Sequence, residues 1–167
     1  MKAVLISIRP KWVEERRPFM TDLEKIREWI RGFPGFDILS EFQVDYTDRV
    51  PANGGIFPSG LQEVGRKEYI YGDVLVINQL NFGIYYVFEK APGDDIGAAV
   101  NADWLMDFQK WVQEQSVRRM APTFGNYDQG HEKIKAENGV LYADDEEGTA
   151  TYMVQLSVQY KNFYEVN

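Results

Sequence analysis

The chain has no cysteine and a single histidine among its 167 residues. The first absence excludes disulfides, thiolate metal sites and cysteine nucleophiles, and is compatible with a reducing compartment. The second leaves His131 as the one imidazole for acid–base work, so that carboxylate sites for Mg or Ca are the only metal sites formally open. No apolar run approaches the ~20 residues of a membrane span, and residues 1–8 are too short and weakly basic for a signal peptide. A soluble intracellular product, with no membrane partner, is the expectation. Positive charge is also short: 18 Lys and Arg stand against 26 Asp and Glu, a net charge of −8. A field of that sign repels polyanions. The one basic cluster, Lys11, Arg16 and Arg17, is interrupted by Glu14 and Glu15 and offers nucleic acid little.

Aromatic residues, by contrast, are plentiful, which implies a well-filled core or contact surfaces built from rigid side chains. The length suits one domain. Thr21-Asp22-Leu23-Glu24 reads as a capping box, with Leu23, Ile26, Ile30 and Phe33 following at helical spacing and Gly32 and Pro34 closing the element. Trp104, Leu105, Phe108, Trp111 and Val112 line one side of a second predicted amphipathic helix over 98–116, stopped by Ala121-Pro122.

Between and after these helices the period changes to two. Phe36, Ile38, Phe42, Val44 and Tyr46 share one face of a predicted half-buried strand, and 47–60 reads as a loop because of its Pro, Asn-Gly-Gly and Pro-Ser-Gly turn formers. A strand over 61–70 turns through Tyr71-Gly72-Asp73 into a long arm, 74–88, on which Val74, Val76, Leu80, Phe82, Ile84, Tyr86 and Phe88 share a face with Asn78 as the exception. Residues 139–160 read as a hairpin. Ala150, Tyr152, Val154, Leu156, Val158 and Tyr160 point one way, Thr149, Thr151, Gln155, Ser157, Gln159 and Lys161 the other, and the acidic run ending at Gly148 makes the turn. The order is helix, three or four strands, helix, three strands. It predicts a single-domain α+β fold, an antiparallel or mixed β-sheet packed against two amphipathic helices.

Chemistry is sparse. His131 lies at a loop-to-strand junction beside Glu132, but neighbours in a strand face opposite ways, so Glu132 would not orient it. A solvated surface imidazole is the simpler reading. Asp144-Asp145-Glu146-Glu147 lacks the ligand spacing of a calcium loop, and the glycine loops at Asn53-Gly54-Gly55 and Gly125-Asn126 lack the lysine and strand-to-helix context of a phosphate cradle. Trp104 and Trp111 form a core stripe rather than a base-stacking platform. The chain therefore reads as a non-enzyme without cofactors.

The run Leu23-Glu24-Lys25-Ile26-Arg27-Glu28-Trp29-Ile30, the run Asn101-Ala102-Asp103-Trp104-Leu105-Met106-Asp107-Phe108-Gln109-Lys110-Trp111, and Asn138-Gly139-Val140-Leu141-Tyr142-Ala143-Asp144 leading into Tyr152-Met153-Val154-Gln155-Leu156 together set a pattern. In order and spacing it resembles the minor-capsid or tail-terminator proteins of long-tailed, siphovirus-type phages and Gram-positive prophages. The likeness runs over 20–164, which divides the chain into an N-terminal extension, 1–19, made of a strand and a charged segment, and a terminator-like α+β domain, 20–167. The resemblance implies a virion protein of the tail neck, assembled in the host cytoplasm: a ring, commonly a hexamer, that caps the tail tube and joins it to the head connector while DNA passes through without specific binding. It implies no catalytic residue. Some relatives carry a chloramphenicol-resistance label, but Gly130-His131-Glu132 does not match the His-rich motif such an acetyltransferase needs.

A ring of identical copies needs two different patches per subunit. Residues 140–160 and the arm 74–88 are the candidates, with Gln155, Ser157, Gln159 and Tyr85 at the interface. A lumen that does not hold phosphates suits acidic side chains, here Asp94, Asp95, Asp144, Asp145, Glu146 and Glu147. Two other readings stand beside this one. Residues 1–14 resemble the opening of PUA-like domains of the ASCH type, which implies an RNA- or nucleotide-binding module, although the Gly-x-Lys and Glu-x-Arg elements expected next do not follow. A small acyl-transfer enzyme would depend on His131.

Overall fold

The computed structural model describes residues 20–39, 41–45, 47, 51–90, 93–144 and 148–166. The expected N-terminal strand, the basic cluster, the PUA-like opening and residues Tyr46, Asp145, Glu146 and Glu147 lie outside the described residues.

Helix α1, Asp22–Ile30, starts on the predicted capping box: Thr21 Oγ1 accepts the Glu24 N–H at 3.2 Å and Glu24 Oε2 accepts the Thr21 N–H at 2.9 Å. Its apolar side, Ile26 and Ile30, is buried. A 3₁₀ turn, Phe36–Ile38, and a short strand β1, Glu41–Val44, follow. The long strand expected over this stretch is thus broken. Phe36 folds under Phe42 in an edge contact of 5.4 Å, and Leu39 turns inward to join the core.

Strand β2, Asn53–Glu68, begins inside what reads as a loop. Gly54 is a strand residue: a Cβ there would press on the Phe42 ring and the Tyr85 carbonyl at 3.0 and 3.2 Å. Glycine serves close approach here and makes no turn. β2 pairs parallel with β1 through Asn53 to Ile56, and antiparallel with β3, Val74–Glu89. After β3 comes helix α2, Asp95–Val117, three residues longer at its start than the sequence predicts because Asp94 caps it, its carboxylate accepting the Gly97 N–H at 2.9 Å. β4, Lys133–Asp144, and β5, Thr149–Tyr164, form the last hairpin, two strands rather than three. The result is an α+β fold with one mixed sheet in the order β1-β2-β3-β5-β4.

Both helices lie on one side of the sheet. Ile56, Phe82, Ile84, Tyr86 and Phe88 from β2 and β3, and Tyr152, Val154, Leu156 and Val158 from β5, are buried with Ile26, Ile30, Leu105, Phe108 and Val112. Trp104 bridges the layers: its Nε1–H donates to the Gly35 carbonyl at 2.9 Å and its ring meets Tyr86 edge-on at 4.3 Å. No helix of the described residues is long and apolar enough to cross a membrane.

Candidate functional site

The side of the sheet away from the helices carries the alternate residues of every strand, and they register in rows. Gln62, Gln79, Gln159 and Lys133 form one row across four strands; Asn81, Ser157 and Lys135 form the next; Gly83, Gln155 and Glu137 follow, then Tyr85, Met153 and Val140. Gln155, Ser157, Gln159 and Tyr85, expected from sequence to share an interface, therefore do share one face.

Their polar groups are tied together. Gln159 Nε2 donates to Gln79 Oε1 at 2.8 Å, Gln79 Nε2 donates to Asn81 Oδ1 at 2.7 Å, and Asn138 Nδ2 donates to Gln155 Oε1 at 2.7 Å. One end of the face is aromatic, with Tyr85 between Phe57 at 4.9 Å and Tyr142 at 5.2 Å. Tyr85 lies down along the sheet: a Cβ on Gly83 would meet its ring at 3.0 Å. Burial pushes its phenol above the usual tyrosine range, and the neighbouring Tyr142 adds to the effect. A trough of about 570 Å³ runs along this face past Gly83, lined mainly by amides, serine hydroxyls and the rings of Phe57 and Tyr85, with the Glu137 carboxylate and Met153 beside them. Uncharged amides both donate and accept, and together with flat aromatics they suit a protein surface or another polar neutral partner better than an ion.

Phe57, Gln62, Lys133, Lys135 and Glu137 also belong to this face and lie outside the interface stretches read from sequence, whereas Gln79, Asn81, Tyr142 and Met153 lie within them without having been singled out. For Gln79 and Asn81 the signal was available, since the alternation that places Leu80 and Phe82 inward places these two outward.

His131 is half-exposed and its Nδ1 is hydrogen-bonded to Asp128. Glu132 indeed does not orient it. The Glu132 carboxylate is buried and accepts the backbone N–H groups of Phe124 at 3.0 Å and Gly130 at 2.8 Å, so it fastens the 124–130 loop. The recess beside His131, about 200 Å³, is lined by Ile77, Asp128, Glu132, Lys133, Gln159, Tyr160 and Lys161. No group of three or more metal-binding side chains occurs among the described residues.

The three described acidic candidates, Asp94, Asp95 and Asp144, are not on the open face. Asp94 caps α2, Asp95 is exposed in its first turn, and Asp144 accepts from Lys90 Nζ at 2.9 Å, which holds the ammonium of Lys90 above its usual range. All three sit at the end of the sheet where β3 leaves and β4 turns into β5. No family model matches this chain, and no curated protein is similar to it in sequence.

Proposed function

We propose that this chain is a structural protein of a long-tailed phage, a tail terminator or minor-capsid protein whose copies close into a ring, a hexamer by the family's habit, that caps the tail tube and links it to the head connector. One observation carries the reading: among the described residues the sheet has one face covered by helices and the other uncovered, a patch of amides and aromatic rings holding Gln155, Ser157, Gln159 and Tyr85, with Lys133, Lys135 and Glu137 along its β4 side. Such a patch has the make-up of a subunit contact, aromatic at one end and hydrogen-bonding at the other. The resemblance read from the order of the motifs over 20–164 favours the same assignment.

In this reading the open face meets the neighbouring copy. Asp94, Asp95 and Asp144, gathered at one end of the sheet, border the channel, where carboxylates keep DNA sliding freely. The protein has no catalytic role and resides at the neck of the virion.

The test is assembly. Light scattering and negative-stain imaging of the chain, alone and with purified tail tubes, should show rings or capped tube ends. Gln155→Arg and Gln159→Arg should keep the circular dichroism spectrum of the wild type and lose the rings or caps. Uncapped tubes with the wild-type chain, or salt-sensitive RNA binding by a monomer, would count against the assignment.

A further inference from the structure

Beyond its short pairing with β1, the outer edge of β2 is bare among the described residues. β1 engages Asn53, Gly54, Gly55 and Ile56 alone, so 58–68 present an unpaired backbone edge on which Leu61 and Val64 are 59% and 42% exposed. A row of free N–H and C=O groups is a template for another strand. The opposite edge of the sheet is not equivalent. There Ser116 Oγ accepts the Ile134 N–H at 3.2 Å and Gln109 Nε2 donates to the Ala136 carbonyl at 3.1 Å, so side chains of α2 blunt β4.

The order of residues along the bare edge is self-complementary. Leu61, Glu63, Arg66 and Glu68 stand opposite Leu80, Asn78, Val76 and Val74 on one face, Gln62, Gly65 and Lys67 stand on the other, and a bulge at Val64 divides the two halves. Laid antiparallel to itself about a two-fold axis between Val64 and Gly65, the segment sets Glu63 opposite Arg66 twice, Gln62 opposite Lys67 and Leu61 opposite Glu68. Glu63, Arg66, Gln62, Lys67, Leu61 and Glu68 then each meet a residue from their own face, the bulged Val64 lies opposite Gly65, and no like charges meet. Sliding by two residues in one direction opposes Glu63 to Glu68; sliding the other way opposes Glu63 to Val64 and forfeits the ion pairs. Opposed like charges are unfavourable in a sheet.

We infer that β2 of one copy pairs with β2 of a second copy through residues 61–68 in this register. In the single chain Arg66 Nε and Nη2 donate to Glu63 Oε1 and Oε2 at 2.8 and 3.0 Å. On pairing, the same two side chains exchange partners across the axis, so no charge is stranded. The contact is isologous and closed: it consumes the edge and cannot propagate into a fibre. An eight-residue ladder falls short of the ~1,000 Å² of a stable interface, so the pair is weak and forms only at high concentration. It uses the strand edge rather than the open face of the ring contact, with Gln62 alone common to both, and does not depend on that contact.

Sedimentation of the full chain across a concentration series tests this, with Glu63→Arg, Arg66→Glu and the double swap alongside. The wild type should dimerise reversibly. Each single change opposes like charges twice and should raise the dimer Kd at least about tenfold, while the double swap should return it to within about threefold. Both side chains are exposed, so circular dichroism should be unchanged throughout. Val64→Pro, which places a proline beside the axis, should also weaken the pair. A chain that stays monomeric at every concentration, single variants that pair as well as the wild type, or a double swap that fails to recover would each overturn the inference. Rings that form equally well in all variants, with no dimer at any concentration, would overturn the pairing and leave the ring reading standing.

Discussion

Gln159 and Gln79 face each other across β5 and β3, and the Nε2–H of the first donates to Oε1 of the second at 2.8 Å. Both side chains are half-buried, so this bond exchanges less with water than a rim contact would. A net contribution of about 0.5–1.5 kcal/mol is expected. Gln159→Leu should therefore lower stability in urea by about 1 kcal/mol, since it leaves Gln79 with one partner fewer. The Gln79→Leu/Gln159→Leu double variant should lose less than the sum of the singles, because an apolar cross-strand pair replaces the polar one. Strict additivity would show that the two amides do not cooperate.

Tyr86 presents the opposite case. It is fully buried, its ring packs against Trp104, Phe108, Phe88 and Phe42, and its hydroxyl has no hydrogen-bond partner among the described residues. Burial holds the phenol far above the usual tyrosine range. An unsatisfied buried hydroxyl costs about 1–3 kcal/mol, whereas the ring is kept by phenylalanine. Tyr86→Phe is expected to be neutral or stabilising by about 1 kcal/mol in urea unfolding. A clear loss of stability would reveal a partner for the hydroxyl.

Much of this architecture is legible in the residues, and the exceptions have physical causes. The Thr21 box and the spacing of Ile26 and Ile30 specify α1, and the alternation from Ala150 to Tyr160 specifies the buried side of β5, because each pattern is local and unopposed. The segment from Phe36 to Val44 misleads: its apolar residues alternate as in a strand, yet Phe36 and Phe42 are drawn into one aromatic contact that a straight strand could not make. Asn53-Gly54-Gly55 misleads in the other direction, since turn chemistry and close backbone approach call for the same glycine. The candidate face was half visible. Gln155, Ser157 and Gln159 lie on one strand and show by period two, but their neighbours Gln62 and Phe57 sit on β2, where bulges after Pro58 and Glu63 shift the register and hide which way each residue points.

Gly125 is a position where glycine is required. Its φ is +65°, and a Cβ there would collide with the Lys161 carbonyl and crowd the Tyr160 ring. The turn it makes lets Asn126 act as a short piece of strand, donating Nδ2–H to the Phe163 carbonyl at 2.9 Å while Oδ1 accepts the Phe163 N–H at 2.6 Å. Gly125→Ala should cost about 2 kcal/mol or more, from strain in the left-handed region plus displacement of the β5 backbone. Amide exchange should rise at Phe163 in the variant, where the Asn126 clamp is pulled away.

The same loop is pinned by charge. Asp128 accepts from Lys161 Nζ at 2.9 Å and is bonded to the His131 ring, and these two hydrogen bonds hold its carboxyl below the usual 3.8. The Lys161 ammonium is in turn raised above 10.5, chiefly by its bond to Asp128. A depressed carboxylate stabilises the fold fully above its unfolded value and loses that contribution as pH falls through its lower folded value. A raised ammonium does the reverse, contributing fully below 10.5 and fading as pH climbs through its higher folded value. The stability curve of the wild type should thus bend down below pH 3.8 and again above pH 10.5, with part of both bends assignable to this pair. Asp128→Asn should remove the acid bend contributed here and shrink the alkaline one, leaving stability near neutrality only slightly lower because the groups are exposed. Thermal melts across pH, paired with the amide shifts of Tyr127 and Lys161, which bridge the loop to β5, would read it directly. Identical acid limbs in variant and wild type would mean that the carboxylate is no better held in the folded chain than in the unfolded one.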